Sequence, residues 1–219
     1  MKKLITFLIA AAVVSALYAV DLTKATIVFN PKDPKLAGQM AGVMADDIER
    51  VTDIRPEVST VKQKGQNVIL ATVSTTGRHR ELRGEWERYA IDTEGDNIFI
   101  TGSDARGLAY GVFHISERIG VSPWYWFADV PVRDSGLARD YVENYVSHSP
   151  SVRYRGIFIN DEDWGLKTWA QDTFEPELGD IGPKTYDRVC ELILRLKGNM
   201  LAPAMHSCTG AFYSHPESQ

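Results

Sequence analysis

Apolar positions in the first third of the chain form two runs of strand length with a helical stripe between them. The runs are ATIVF at residues 25–29 and NVILATV at residues 67–73. Between them, apolar side chains recur with the three- and four-residue spacing of an amphipathic helix over residues 34–51. The stripe consists of Leu36, Met40, Val43, Met44 and Ile48. This pattern predicts a strand, a helix and a second strand.

A hairpin and a second helix are predicted next. The segment RYAIDTEGDNIFITG has two short runs on either side of the turn sequence EGDN at residues 94–97. The segment SDARGLAYGVFHISERIG then follows a helical pattern, which Gly120 ends. Its apolar face consists of Leu108, Val112, Ile115 and Ile119. The order of elements predicts a small mixed α/β domain over residues 20–130 and argues against a long parallel sheet.

A proline-containing connector is predicted over residues 131–152, and it is preceded by the aromatic sequence WYWF at residues 124–127. One interpretation of these aromatic residues is a platform that binds sugar. The favoured interpretation is a domain interface or core, because four adjacent side chains cannot all face one side of an extended chain.

A different pattern begins at Arg153. YRGIFI at residues 154–159 predicts a buried strand, a long loop follows, and Gly182-Pro183 opens a helix because proline is tolerated at the first helical position. Gly198-Asn199 closes this helix, and MLAPAMH predicts the next strand. The predicted apolar face of the helix consists of Tyr186, Val189, Cys190, Ile193 and Leu194. One strand, one helix and one strand predict a βαβ unit with a parallel sheet.

Polar side chains follow both strands of this unit. Asn160, Asp161 and Glu162 come directly after the first strand, Trp164 lies just beyond, and His206 ends the second. The carboxyl ends of parallel strands meet at one edge of a sheet, where functional groups collect. We therefore predict a sugar-binding edge built from these five residues.

The alternative for the acids is a solvated loop, and we accept it for Asp163. Asp161 is assigned a function because a predicted buried strand leads directly into it. For Glu162 and His206 the two interpretations remain open, since a single histidine is often packed and hydrogen-bonded without a function.

Composition narrows the class of protein. The chain has 219 residues, 44% of them hydrophobic and 24% charged, which is typical of a globular protein with a core. The net charge is −5 and no basic stripe occurs, which argues against a nucleic-acid partner. The two cysteines, Cys190 and Cys208, are compatible with one disulfide or with two buried thiols. No cysteine or histidine spacing indicates a metal site.

The amino terminus predicts export. Lys2 and Lys3 precede the apolar run LITFLIAAAVV and the small residues of SALYA, which is the pattern of a signal peptide over residues 1–19. Cleavage is expected after Ala16 or Ala19. A membrane anchor is the alternative, but the apolar run is short for a span of roughly 20 residues. The sequence therefore predicts a periplasmic or secreted protein with no membrane attachment after cleavage.

The second half of the chain resembles glycoside hydrolase family 115, the α-glucuronidases that act on xylan. YRGIFINDEDWGLKTWA and FEPELGDIGPKTYDRVCELILRLKGNMLAPAMH resemble the start of the catalytic barrel of that family, with the pieces in order and at the expected spacing. GSDARGLAYGVFHISERIGVSPW resembles the last helix and the exit of the small α/β domain that precedes the barrel.

The resemblance implies a fold and an activity. Residues 153–219 would be the start of a (β/α)8 TIM barrel, truncated after its first βαβ portion. Members remove glucuronic acid or its 4-O-methyl form from glucuronoxylan with inversion, so the implied partners are glucuronoxylan and aldouronic acid oligosaccharides. The resemblance implies no required cofactor or metal, and members are often dimers that assemble partly through later domains.

Family members are several times longer, so the chain is interpreted as an amino-terminal fragment. The usual acid and base are expected beyond Gln219, and the 219-residue piece is expected to be inactive by itself. Asp161 is expected closest to the chemistry, with Glu162 as the second catalytic candidate and Asn160 as a substrate ligand. The alternatives are another barrel glycosidase, such as a β-hexosaminidase relative, and a non-catalytic sugar-binding module.

Overall fold

A computed structural model of the chain describes residues 18–160 and 164–218. Most of the predicted signal peptide, residues 1–17, lies outside these ranges. Within them, no helix has the length and apolar character needed to cross a bilayer.

A six-stranded sheet with the order β2-β1-β3-β5-β4-β6 forms the centre of the first domain. Its strands are β1 (Thr26–Phe29), β2 (Val58–Ser59), β3 (Asn67–Thr72), β4 (Tyr89–Glu94), β5 (Asn97–Gly102) and β6 (Asn144–Val146). Strands β2, β1, β3 and β5 are neighbours that all run parallel. The expectation that this domain lacks a long parallel sheet is therefore wrong. The predicted hairpin is present, but its second strand, β5, also pairs with β3 in parallel over six residues.

Two helices, α1 (Leu36–Thr52) and α2 (Ala105–Ile119), pack on this sheet and on each other. Asp104 caps α2, because its carboxylate accepts a hydrogen bond from the Gly107 amide at 2.7 Å. A Cβ atom on Gly107 would lie 2.1 Å from the carbonyl oxygen of Arg88, the residue before β4, so only glycine permits this close approach of α2 to the backbone. Gly120, with φ 124°, ends the helix as predicted.

The interval 131–152, predicted as a connector, contributes to the first sheet. β6 pairs antiparallel with β4, and Val20 forms an isolated bridge with Tyr141. The prediction of a simple linker is wrong for this part of the interval. All three residues of β6 are exposed, so this edge strand has no apolar alternation by which the sequence could have indicated it.

A second, two-stranded sheet contains β7 (Gly156–Phe158) and β8 (Met200–Ala202), which run parallel. The connection includes α3 (Leu166–Trp169), a π-helical turn (Ala170–Phe174) and α4 (Pro183–Arg195). β7 pairs with β8 and not with the first sheet, so the predicted βαβ unit is present as a separate layer.

Two details of the βαβ unit differ from the prediction. Phe158 is 56% exposed, because a two-stranded sheet leaves part of its surface uncovered, and Ile159 is the buried residue of this segment. Cys190 is exposed and not on the apolar face of α4, and both Cys190 and Cys208 are free thiols. The packed face uses Tyr186, Val189 and Ile193.

Candidate functional site

The carboxyl ends of β7 and β8 lie at the same edge of their sheet, as parallel pairing requires. Asn160 follows β7 and His206 follows β8. The His206 Nε2 atom lies 3.2 Å from the Asn160 Oδ1 atom, so the fold brings these two predicted site residues together. Both are exposed. We call the edge of the sheet that carries Asn160 and His206 the strand-end rim.

The two carboxylates assigned to the rim from sequence, Asp161 and Glu162, lie outside the described residues, as does Asp163. Trp164, the next described residue, is 90% exposed. An indole this exposed is available to a ligand, since a buried tryptophan would already have its surface covered by protein.

A cavity of about 490 Å³ adjoins His206. Its lining residues are Ala202, Pro203, Ala204, Met205, His206, Ser207, Thr209, Ala211, Phe212 and Tyr213. We call it the rim cavity. Its volume falls within the range of about 300–1,000 Å³ that is typical of small-molecule sites. It combines an imidazole and three hydroxyls with aromatic rings, which are groups that can bind the hydroxyls and the apolar faces of a sugar.

Three contacts fix the loop that carries His206. The Asp180 carboxylate accepts a hydrogen bond from the Gly210 amide at 2.6 Å, and the Tyr186 hydroxyl accepts one from the Ala204 amide at 3.2 Å. The Lys167 ammonium donates to the Cys208 carbonyl. The loop is therefore anchored to α3 and to the segment around α4 on both sides of His206.

Glu175 fixes the start of α4. Its buried carboxylate accepts hydrogen bonds from the backbone amides of Gly182, Lys184 and Thr185 at 2.8–3.1 Å and from the Thr185 hydroxyl at 2.6 Å. A carboxylate at a helix amino terminus satisfies amides that lack partners within the helix and interacts favourably with the helix dipole. Glu175 thereby holds α4 in place, and Tyr186 of this helix supports the loop that carries His206.

The aromatic residues before the connector lie at the interface between the two layers. Trp126 packs edge-on against Trp169 and Phe174, with ring centroids 5.0 Å apart in each pair. The Tyr125 hydroxyl donates to Glu191 of α4 at 3.1 Å. These contacts confirm the interface interpretation over that of a free sugar platform.

The sequence missed the contribution of Ser207, Thr209 and Tyr213 to the site. Ser207 and Thr209 could have been found from the sequence, because they follow β8 and lie next to His206 in the chain. Tyr213 lies farther along the chain, where no strand-end pattern indicates it. Among the described residues, no group of three or more His, Cys, Asp or Glu side chains is placed to hold a metal ion.

Comparison with known proteins shows which family the chain is similar to. Residues 147–219 match the model of glycosyl hydrolase family 115. The structure superposes on a family GH115 4-O-methyl-α-glucuronidase, BtGH115A, which has specificity for decorated arabinogalactans, with a TM-score of 0.79 and 30% identity. The match covers 92% of this chain. The chain is therefore similar to glycosyl hydrolase family 115 in sequence over residues 147–219 and in fold over most of its length. It spans 27% of the length of that relative.

More distant structures share the fold. A β-hexosaminidase variant from Streptomyces plicatus superposes with a TM-score of 0.51 at 19% identity, covering 84% of this chain and 30% of its own. A family GH20 β-N-acetylhexosaminidase from Streptomyces coelicolor A3(2) gives a TM-score of 0.51 at 16% identity, covering 84% and 31%. No curated protein sequence matches the chain. The chain thus has a mixed α/β domain followed by the first βαβ portion of a barrel, as predicted.

Proposed function

We propose that the whole protein is a glycoside hydrolase that removes glucuronic acid, or its 4-O-methyl form, from a plant polysaccharide. The observation that carries this proposal is the agreement between the family match over residues 147–219 and the superposition on a 4-O-methyl-α-glucuronidase. The adjacent strand ends at Asn160 and His206 support it, because barrel glycosidases bind substrate at that end of the strands.

The proposed mechanism is hydrolysis with inversion. A carboxylic acid protonates the leaving oxygen while a carboxylate activates water on the opposite face of the sugar, with the two groups roughly 6.5–9.5 Å apart. Asp161 is the rim carboxylate proposed to lie closest to this chemistry, and Glu162 is the second. Asn160, Trp164 and His206 would bind the sugar through an amide, an indole and an imidazole. None of these roles requires a metal or an organic cofactor.

Glucuronoxylan and its aldouronic acid oligosaccharides are the proposed substrates. Decorated arabinogalactan is a second candidate, because BtGH115A is specific for decorated arabinogalactans. Both polymers lie outside the cell, which agrees with the export proposed from residues 1–19.

The test is to incubate the whole protein with glucuronoxylan and with an arabinogalactan that carries glucuronic acid, and to identify released sugars by anion-exchange chromatography. We expect a free uronic acid from at least one polymer. Release of N-acetylhexosamine from a hexosaminide in its place would favour the hexosaminidase alternative. Binding of either polymer with no release of any sugar would favour a non-catalytic module.

A further inference from the structure

A second cavity, of about 510 Å³, lies on the small domain between α2 and the β4–β6 edge of the sheet. Its lining residues are Glu87, Tyr89, Tyr110, His114, Glu117, Arg118, Tyr145, Ser147, His148 and Lys197. We call it the α2–β6 groove. Lys197 precedes β8, whereas His206 follows it, so the groove and the strand-end rim lie at opposite ends of that strand.

One wall of the groove is aromatic and held rigidly. The Tyr145 ring lies 4.9 Å from the His114 ring and 5.7 Å from the Tyr89 ring, measured between centroids. Tyr145 is 39% exposed while Tyr89 is buried, so Tyr145 presents the accessible ring. A hydroxylated ligand with apolar faces, such as a pyranose, could pack against this wall.

A chain of hydrogen bonds fixes the ring behind Tyr145. The Tyr89 hydroxyl lies 2.9 Å from His114 Nδ1, and His114 Nε2 lies 3.1 Å from a Glu143 carboxylate oxygen. The Tyr141 hydroxyl donates to the other oxygen of Glu143. Each polar group in this chain has a partner within the protein, so the wall is organised before any ligand arrives.

The charged side chains of the groove differ in whether they already have partners within the protein. The Glu87 carboxylate accepts hydrogen bonds from Arg106, Arg155 and Asn199. By contrast, neither Arg118 nor Lys197 has a side-chain hydrogen bond or ion pair with any residue in the described parts of the chain. Two cations therefore remain available to a ligand. A guanidinium binds a carboxylate with two parallel hydrogen bonds, which a neutral sugar cannot offer.

We propose that the α2–β6 groove is a second carbohydrate site, which binds a sugar that carries a carboxylate, a uronic acid, with its ring against Tyr145 and its carboxylate on Arg118 and Lys197. The Glu117 carboxylate, which is exposed beside Arg118, would accept hydrogen bonds from sugar hydroxyls. The ligand class follows from the groove's own residues. The proposal therefore stands or falls separately from hydrolysis at the rim.

The test is to titrate glucuronic acid, glucose and inorganic phosphate into the whole protein and into matched variants of it. Calorimetry measures the affinity for each ligand. Arg118→Gln should weaken glucuronic acid binding about tenfold or more, because it removes the charged hydrogen bonds. Tyr145→Ala should weaken it similarly, while Tyr145→Phe, which keeps the ring, should not. Lys62→Gln, at an exposed lysine outside the groove, is the control for net charge.

The variant His206→Ala separates this site from the strand-end rim. It changes the rim only, so the affinity of the α2–β6 groove for glucuronic acid should stay the same. Arg118→Gln alters an exposed helix side chain, so it remains informative if Tyr145→Ala unfolds the edge strand. Equal affinity for phosphate or for glucose would overturn the proposal. So would binding that is lost in His206→Ala and kept in Arg118→Gln, or no binding of glucuronic acid at all.

Discussion

Glu87 is a buried carboxylate where the small domain meets the βαβ unit. Arg106 of α2 donates to it at 2.6 Å, and Asn199, just before β8, donates at 2.8 Å. Arg155, just before β7, completes the set. Burial by itself would raise the pKa of Glu87, but the hydrogen bonds from Arg155, Asn199 and Arg106 outweigh burial and hold the pKa below its ordinary value. The residue thus joins three separate parts of the chain.

Replacing this carboxylate should destabilise the protein in a pH-dependent way. Glu87→Gln should lower the free energy of unfolding by about 1–3 kcal/mol at pH 7, because it removes the charge from a buried hydrogen-bonded group. Since the folded pKa is lowered, the stabilisation is present above the unfolded value and is lost as pH falls through the folded value.

Denaturant unfolding of wild type and Glu87→Gln between pH 7 and pH 3 checks this prediction. The difference in the free energy of unfolding between wild type and Glu87→Gln should shrink as the pH falls below about 4. A difference that stays constant over this range, or that grows in acid, would rule out the assigned role of the charge.

Asp161→Asn should reduce turnover by the whole protein about 100-fold or more while leaving the fold intact. The described residue just before the rim, Ile159, is 8% exposed and donates its amide to the Ala202 carbonyl at 2.8 Å, so the chain is held firmly up to this point. Asparagine keeps the size and one acceptor oxygen but removes the charge. Small misplacements of a positioned group cost large factors in rate.

Turnover on aldouronic acids and thermal melting separate the two interpretations of Asp161. Lost turnover with an unchanged melting temperature supports a role in catalysis. If Asp161 only caps the loop, the variant melts at a lower temperature and turns over normally, and Glu162→Gln becomes the next variant to examine.

At the scale of elements, the start of α4 depends on a residue that lies outside the helix. Glu175 lies in the loop before Pro183. Its carboxylate accepts hydrogen bonds from the Gly182, Lys184 and Thr185 amides at the start of the helix. Glu175→Gln should lower the free energy of unfolding by about 1–3 kcal/mol and speed hydrogen exchange at the Gly182, Lys184 and Thr185 amides.

Glu177→Gln is the matched control for the change at Glu175. Its carboxylate is exposed and pairs with the Lys184 ammonium at the surface, where ion pairs contribute little. We expect unchanged exchange of the three amides in this control. Equal effects of the two substitutions would show that α4 responds to the loss of negative charge in general and not to the capping contacts.

The elements that the sequence predicted are those with a strong local pattern. The stripe from Leu36 to Ile48 and the turn at residues 94–97 gave α1 and the β4–β5 hairpin. β2 was missed because two residues are too few to show a period. The prediction that Cys190 lies on the apolar face of α4 was wrong. Helical spacing shows which side of a helix is apolar but not how wide the buried stripe is, and here the packed residues are Tyr186, Val189 and Ile193.

At the scale of the whole molecule, α4 is joined to α1 by a buried arginine. The Arg195 guanidinium donates to Asp47 at 2.9 Å and to Glu191 at 2.8 Å. The rings of Phe113 and Tyr125 also lie 4.6 and 4.8 Å from its central carbon. Arg195 and Asp47 are separated by 148 residues, so no local pattern in the sequence could have paired them. Apolar periodicity also gives no reason to place a charged residue in a core.

Arg195→Met should lower the free energy of unfolding by about 3–5 kcal/mol, because it leaves the Asp47 carboxylate buried beside one weaker partner, Arg50 at 3.6 Å. Arg55→Met, which breaks exposed pairs with Asp46 and Glu49, should change it by about 0–1 kcal/mol. Urea unfolding of both variants provides the comparison. Similar losses for the two substitutions would contradict the view that this buried pair holds the two layers together.

The strand-end rim could be predicted because parallel strands fix where their carboxyl ends lie, and the contact between Asn160 and His206 follows from that rule. The α2–β6 groove could not be predicted from the sequence, because its walls come from α2, β4, β6 and the segment before β8. Residues so far apart come together only through the packing of the two layers.

The most direct test of the proposed activity is time-resolved proton NMR of the whole protein acting on glucuronoxylan, with decorated arabinogalactan in parallel. Hydrolysis of an α-linked side group with inversion predicts that the β-anomer of glucuronic acid, or of its 4-O-methyl form, appears first and then equilibrates with the α-anomer. Initial appearance of the α-anomer would contradict inversion. Absence of any released uronic acid from both polymers would contradict the proposed function itself.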